Sequence, residues 1–319
     1  MTETPSTPGR TLRPALGAAM LRVLYGAAPA DRDYPSPVAR AAQGNAVIAE
    51  ALAANAPTLV GRFGSSELAC VSFYTRWREN RRIRPGYPEG LRRVMSVNAG
   101  VFPTDDDALD RVARLYLEAA SLADVMGVWS NRNEHRIVAR CCPNARLVHL
   151  DSLLSMLFPQ PWSSGLKGKN VLVVHPFAAS VEAQYHTHRS QLFADPDVLP
   201  EFTLKTLAAV QSGAGNPCAF ATWFDALDDM AQRISAIEFD VAIVGAGAYG
   251  LPLAAHVKRL GKTAIHMGGA TQLLFGIRGR RWELESPDDV APLFNEYWVR
   301  PSAEETPGAS AQVEGGCYW

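Results

Sequence analysis

The sequence predicts an α/β protein: a Rossmann-like, doubly wound, mostly parallel sheet with flanking helices. Three observations point there. Short apolar runs alternate with longer amphipathic segments along most of the chain. NVLVVH at 170–175 and DVAIV at 240–244 are near-continuous apolar runs, as strands buried on both faces require. A glycine-rich turn, GAGAYG, follows the second run and opens a helical pattern.

The elements follow in order. Residues 1–12 are rich in Thr, Pro and Ser and read as a loose tail. Arg10 and Arg13 precede an apolar stretch, but Arg22 interrupts it too early for a secretory signal. A strand is predicted over 58–63 and a helix from Ser66. Residues 94–98 read as a strand, and 105–123 as a helix. A strand over 124–129 precedes a helix from Asn131, and 146–150 is a further strand. The loop PQPWSSGLKG at 159–168 divides an N-terminal α/β half, 13–160, from a Rossmann-like half, 161–300. The second half reads as strand 170–175, helix 179–193, a mixed segment 202–210 and helix 219–237. Strand 240–244, helix 249–260 and strand 263–267 complete it. Residues 301–319 look like a tail yet end in Cys317, Tyr318 and Trp319. Two aromatics at the end of a solvated tail predict docking on the body, as a cover over the crevice hinged at Gly315 and Gly316.

Composition narrows the function classes. Of 319 residues, 47% are hydrophobic, so a sizeable core is available. Lys plus Arg (31) balances Asp plus Glu (32), which argues against general nucleic-acid binding. No uninterrupted apolar stretch of about 18 residues occurs, so no integral membrane segment is expected. Five Cys without a CxxC pair argue against zinc ribbons and disulfide scaffolds, and a reduced, cytoplasmic protein is expected. Charge is uneven. Residues 76–93 hold seven Arg against two Glu, whereas 283–314 hold eight acids against Arg300. The basic run reads as a solvated face or as a surface for an anionic substrate.

Four features carry chemistry. Gly245, Gly247 and Gly250 form G-x-G-x-x-G, with Tyr249 in the same turn. Glycines let the backbone approach a phosphate, and the following helix offers free N–H groups. A dinucleotide site also wants an acid at the end of the next strand. Here that strand ends at His266, followed by Met267, Gly268 and Gly269. Second, Arg62, Asn98, His175 and His266 each close a predicted strand, where open α/β sheets bind ligands. Third, GRFGSSEL at 61–68 places Arg62 before a helix start and Glu67 in its first turn. Glu67 there is either a helix-capping carboxylate or a general base or metal ligand beside a diphosphate. Fourth, the helix after His175 carries Gln184, Tyr185 and Arg189. Trp129, at a strand end, is the best-placed aromatic for a sugar ring, and Gln211 is a further pocket candidate by its loop position. No G-x-S-x-G, P-loop or HExxH occurs. An NAD(P)-linked oxidoreductase and a non-catalytic sugar-phosphate or nucleotide-binding protein stand as alternatives to a transferase.

GRFGSSEL resembles the R-[FIL]-G-D-G-E segment of bacterial GT-D-type glycosyltransferases. NAGVFP at 98–103, VLVVHPF, LKTLAAVQSGAG at 204–215, the stretch 245–282 and the final VEGGCYW are similar to the wider GT-D-like group. The resemblance runs from about Leu59 to the end. It implies a Rossmann-like fold, a nucleotide-sugar donor, a glycan or lipid-linked acceptor and a D-x-E motif associated with Mn²⁺ or Mg²⁺. Arg62 and Gly64 match the motif, and Glu67 matches its final carboxylate. Ser65 stands where the family has Asp. One carboxylate beside a serine holds a divalent ion weakly unless other ligands help. The resemblance thus assigns Glu67 as base or metal ligand and Arg62 as the charge facing a leaving diphosphate.

Overall fold

The computed structural model describes residues 29–54, 56–284 and 288–319. The tail expected over 1–12, and the start of the half expected over 13–160, lie outside them.

Eight strands form one sheet: β1 Val38–Ala39, β2 Leu59–Arg62, β3 Val125–Val128, β4 Arg146–His149, β5 Asn170–His175, β6 Thr203–Ala208, β7 Val241–Val244 and β8 Thr263–His266. Their order is β1-β4-β3-β2-β8-β7-β5-β6, and every pairing is parallel. The first four strands and the last four meet at β2 and β8, where Val60 faces Ile265. The connection from β5 runs outward to β6, while that from β7 runs inward to β8. The neighbours β5 and β7 therefore bracket a reversal of winding. Such a reversal opens a crevice beyond the carboxyl ends of the strands.

Alternate side chains of each strand feed two cores. Leu172, Val174, Ala242 and Val244 join one face, and Val171, Val173, Val241 and Ile243 the other. Helices cover both faces. On the first lie α2 (Ser65–Phe73), α4 (Asp106–Ser121), α7 (Trp223–Ser235) and α8 (Gly250–Arg259), through Leu68, Val112, Met230 and Leu253. On the second lie α1 (Ala41–Ala53) and α6 (Ala178–Leu192), through Ile48 and Val181. The helix starts are written locally. Asp105 accepts from Ala108 N–H at 2.9 Å, and Thr222 and Asp225 form a reciprocal capping box on α7. Among the described residues no helix is long and apolar enough to cross a membrane.

The segment 94–98 corrects the sequence expectation: it closes a helix, α3 (Glu89–Val97), and Asn98 is its C-cap, not a strand end. VMSV looks extended in isolation. Leu91 and Met95, the buried pair four residues apart, show the helical period, and their upstream half is masked by Glu89, Arg92 and Arg93. Smaller differences concern boundaries. The helix expected from Asn131 begins at Glu134 (α5, Glu134–Cys141), and the one expected from 219 begins at Trp223. The mixed segment 202–210 holds β6, an edge strand whose Thr203, Lys205 and Thr206 avoid full burial. Two short helices, α9 (Thr271–Leu274) and α10 (Arg280–Leu284), follow β8.

Candidate active site

A cavity of about 440 Å³ opens at the carboxyl ends of β2, β3, β5, β7 and β8. Arg62, Gly64, Ser65, Glu67, Asn98, Trp129 and His175 line it. So do Gln211, Gly245, Gly247, Tyr249, His266, Gly268 and Gly269.

Arg62 is the last residue of β2. Its guanidinium lies 5.7 Å from the centre of the Trp129 ring and packs against Gly268. Gly268 has φ +66°, and a methyl there would approach Arg62 Nη1 to 2.7 Å. Among the described residues Arg62 makes no ion pair; its Nε donates to the Phe63 carbonyl at 3.3 Å. Its charge remains available to an anion in the cavity.

Gly64 is the N-cap of α2, and Glu67 stands three residues on. The carboxylate folds back over the helix start so closely that a side chain at Gly64 would collide with it. Burial pushes the Glu67 carboxyl above its usual range, while its own N–H and the Arg62 charge pull the other way. Ser65 is exposed on the rim.

Two histidines face the cavity uncharged. Burial draws His175 down to about 3, and its Nδ1 accepts from Phe177 N–H at 3.0 Å. The neutral ring therefore carries its proton on Nε2. Burial, helped by the Arg62 charge, draws His266 to about 3 as well.

Three strand-end turns converge on Gly245. A methyl there would meet His175 Cδ2 at 2.6 Å, Thr271 Oγ1 at 2.6 Å and the Gly268 carbonyl at 2.7 Å. Gly247, with φ +52°, lies in the left-handed region and has open space beside it. A short 3₁₀ turn, Gly247–Tyr249, then enters α8; Tyr249 N–H donates to the Ala246 carbonyl at 3.0 Å and Gly250 N–H to that of Gly247, while Gly247 and Ala248 line the cavity. Tyr249 stacks on Trp223 at 4.9 Å, and its hydroxyl bonds Ser212 at 2.9 Å.

Four candidates do not line the cavity. Gln184 is buried behind it and donates to the carbonyls of Gly276 and Tyr297. Tyr185 stacks on Phe202 and donates to its carbonyl at 2.8 Å. Arg189 donates to the Leu199 carbonyl at 3.3 Å. These three sit beyond the first turn of α6, which runs away from the strand ends. Gly250 is a packing glycine pressed against the His266 ring. The basic run 76–93 also points elsewhere: none of its Arg lines the cavity.

Residues not singled out by sequence complete the walls. Tyr116, midway along α4, donates to the Ala248 carbonyl at 2.6 Å. Glu134 is fully buried and accepts from Tyr34 Oη at 2.5 Å, Trp129 N–H at 3.0 Å and Asn131 N–H at 3.2 Å, which fixes the loop carrying Trp129. Arg281 bonds the Glu314 carboxylate and the Tyr318 hydroxyl. Both Arg281 and Glu314 fall inside sequence stretches that resemble the glycosyltransferase group, which was the available signal. The end of the chain closes one side. The Tyr318 ring rests on Gly269, and Trp319 meets Phe177 edge-on at 6.1 Å.

The donor set does not suit a divalent ion. Among the described residues no group of three or more His, Cys, Asp or Glu could hold a metal. Glu67 has an exposed serine in place of a second carboxylate, and Glu314 is taken by Arg281.

No protein family's sequence profile matches the chain, and no curated protein is similar to it. Two solved structures are similar to it. One is a selenomethionine-substituted structure of domain of unknown function 1792, at 13% identity, covering 86% of this chain and 94% of that one with a TM-score of 0.46. The other is described as the highly conserved domain of unknown function 1792 with a distinct glycosyltransferase fold. It is 14% identical and covers 79% of this chain and 81% of that one with a TM-score of 0.41.

Proposed function

We propose that the protein is a glycosyltransferase that binds a nucleoside-diphosphate sugar in this cavity and passes the sugar to a hydroxyl of a glycan or lipid-linked acceptor. One observation carries the reading: an unpaired arginine, a glycine turn at a helix start and a buried carboxylate line a single crevice. The chemistry follows from their charges. The acceptor hydroxyl gives its proton to Glu67 as its oxygen bonds the anomeric carbon. The bond from that carbon to the diphosphate oxygen breaks, and the diphosphate leaves with the electron pair. Arg62 and the N–H groups of Gly247 and Ala248 take up the developing negative charge. A carboxyl raised toward neutrality is a better base for a hydroxyl than an ordinary one. His175 and His266, held neutral, serve as hydrogen-bonding walls. Trp129 offers a face to a sugar ring. The residues present do not suit Mn²⁺ or Mg²⁺, and no step here passes through either. A dinucleotide cofactor finds no acid at the end of β8, where His266 stands.

Thermal-shift measurements with UDP, GDP and NADH, with donor hydrolysis by the wild type and Glu67→Gln, test the proposal. Stabilisation by a nucleoside diphosphate and slower hydrolysis by the variant are expected. Stabilisation by NADH alone would make the protein an oxidoreductase. Hydrolysis by both proteins at the same slow rate would leave Glu67 without a chemical role.

A further inference from the structure

A π-helical turn, Tyr74–Arg78, extends α2 away from the cavity. Residues 65–78 rise by about 1.5 Å each, so the turn ends roughly 20 Å from the helix start. Arg78 is only 5% exposed there. Its Nε and Nη2 donate to Asp110 at 2.5 and 3.1 Å, and its Nη1 donates to the Pro85 carbonyl at 2.8 Å. Tyr87 lies 5.1 Å from the same guanidinium and donates to Asp110 at 3.1 Å. One buried cation thus pins both ends of the loop 79–85 and fixes what it displays.

The display is unusual for a surface without a partner. Arg81, Arg82 and Arg84 are exposed, and Arg76 lies beside them at the end of the helix. Glu79, the acid in the loop, is already held by Arg140 in a paired contact at 2.5 and 2.6 Å. Among the described residues none of the four arginines makes an ion pair. Between them stand Ile83, 86% exposed, and Trp77, 41% exposed. Four neighbouring cations repel one another in solution, and an exposed Ile gains nothing from water. Both costs reverse at an anionic lipid surface. Headgroups attract the guanidiniums, and the apolar side chains enter the boundary between headgroups and acyl chains.

We propose that this loop docks the protein onto an anionic lipid surface. A soluble polyanion would use the arginines and leave Ile83 idle, so the interleaved apolar pair favours lipid. The inference is independent of the reaction assigned to the cavity.

Flotation of the full chain with phosphatidylcholine vesicles, and with vesicles rich in phosphatidylglycerol, tests it at low salt. Binding to the anionic vesicles alone is expected. Each cation near such a surface is worth roughly a fivefold change in partitioning, so the triple variant R81A/R82A/R84A should lose on the order of 100-fold. Ile83→Ser, at unchanged charge, should lose about tenfold. Melting curves check that each variant is folded. Arg82→Glu, which changes one exposed side chain, repeats the test should the triple variant melt early. No flotation of the wild type with anionic vesicles overturns the proposal, as does full binding by the folded charge variants. An Ile83→Ser protein that binds as well as the wild type, with heparin displacing both, would replace the lipid by a soluble polyanion.

Discussion

Gly245→Ala tests the geometry on which the site rests. The added methyl would lie 2.6 Å from His175 Cδ2, 2.6 Å from Thr271 Oγ1 and 2.7 Å from the Gly268 carbonyl, where ordinary contact begins near 3.4 Å. Thr271 is fully buried, and the Gly268 oxygen belongs to the backbone. Neither can swing aside, so a turn must shift. Overpacking of this kind costs about 1–3 kcal/mol, and three simultaneous clashes place the variant near the upper end. For a chain of 319 residues that corresponds to a melting temperature lower by roughly 3–5 °C. Gly247→Ala is the control two residues away. It has φ +52° and no atom within 4 Å of the added carbon, so it meets only left-handed strain. That strain costs about 1–2 kcal/mol. Urea denaturation and thermal melting of the two variants should separate them, with Gly245→Ala the less stable. Equal shifts, or a Gly245→Ala protein as stable as the wild type, would refute the close convergence of the turns after β5, β7 and β8.

Glu67→Gln should raise the melting temperature at pH 7. Because the folded carboxyl is raised, native protein holds that proton more tightly than unfolded chain does, and its contribution falls as pH climbs through the raised value. The advantage of the variant should shrink toward pH 4.5, the ordinary value; a gap that widens on acidification would contradict the raised carboxyl. Removing residues 315–319 takes Tyr318 from Gly269 and Trp319 from Phe177. A stability loss of about 2 kcal/mol and altered nucleoside-diphosphate binding are expected; unchanged melting and titration would mean that these aromatics neither pack nor cover.

Much of the fold was legible because parallel strands buried on both faces are written as unbroken apolar runs. NVLVVH and DVAIV could be little else, and the second led to a turn whose glycines marked the crevice. The failures have local causes. α3 was obscured because its apolar stripe is two residues wide and its first turn is charged, which left VMSV looking extended. β1 and α1 escaped notice because a two-residue strand has no period and six of the 13 residues of α1 are alanine, which leaves its apolar face faint. In the site, strand-end residues were readable from position alone, as Arg62 and His175 show. Tyr116 and Glu134 were not, because each acts on the site from a helix, Tyr116 through its bond to the Ala248 carbonyl and Glu134 through bonds that hold the Trp129 loop, and no spacing announces either.

The misplacement of Gln184, Tyr185 and Arg189 has an instructive reason. Two helices start beside the reversal of winding, α6 after β5 and α8 after β7, and both would attract an anion by their free N–H groups. The sequence alone gives no ground for choosing. In the folded chain Glu305, from the 301–319 segment, fills the first. Its carboxylate accepts from Ala179 N–H at 2.8 Å and Ser180 N–H at 3.2 Å, and it also bonds the Ser180 hydroxyl. The protein has supplied its own anion there, and the helix that carries the three residues has no charge left to offer. Among the described residues the start of α8 receives no such carboxylate, and Arg62 shares the cavity beside it. On the proposed reading a diphosphate would sit at residues 245–249, toward β2 and Glu67, rather than at α6.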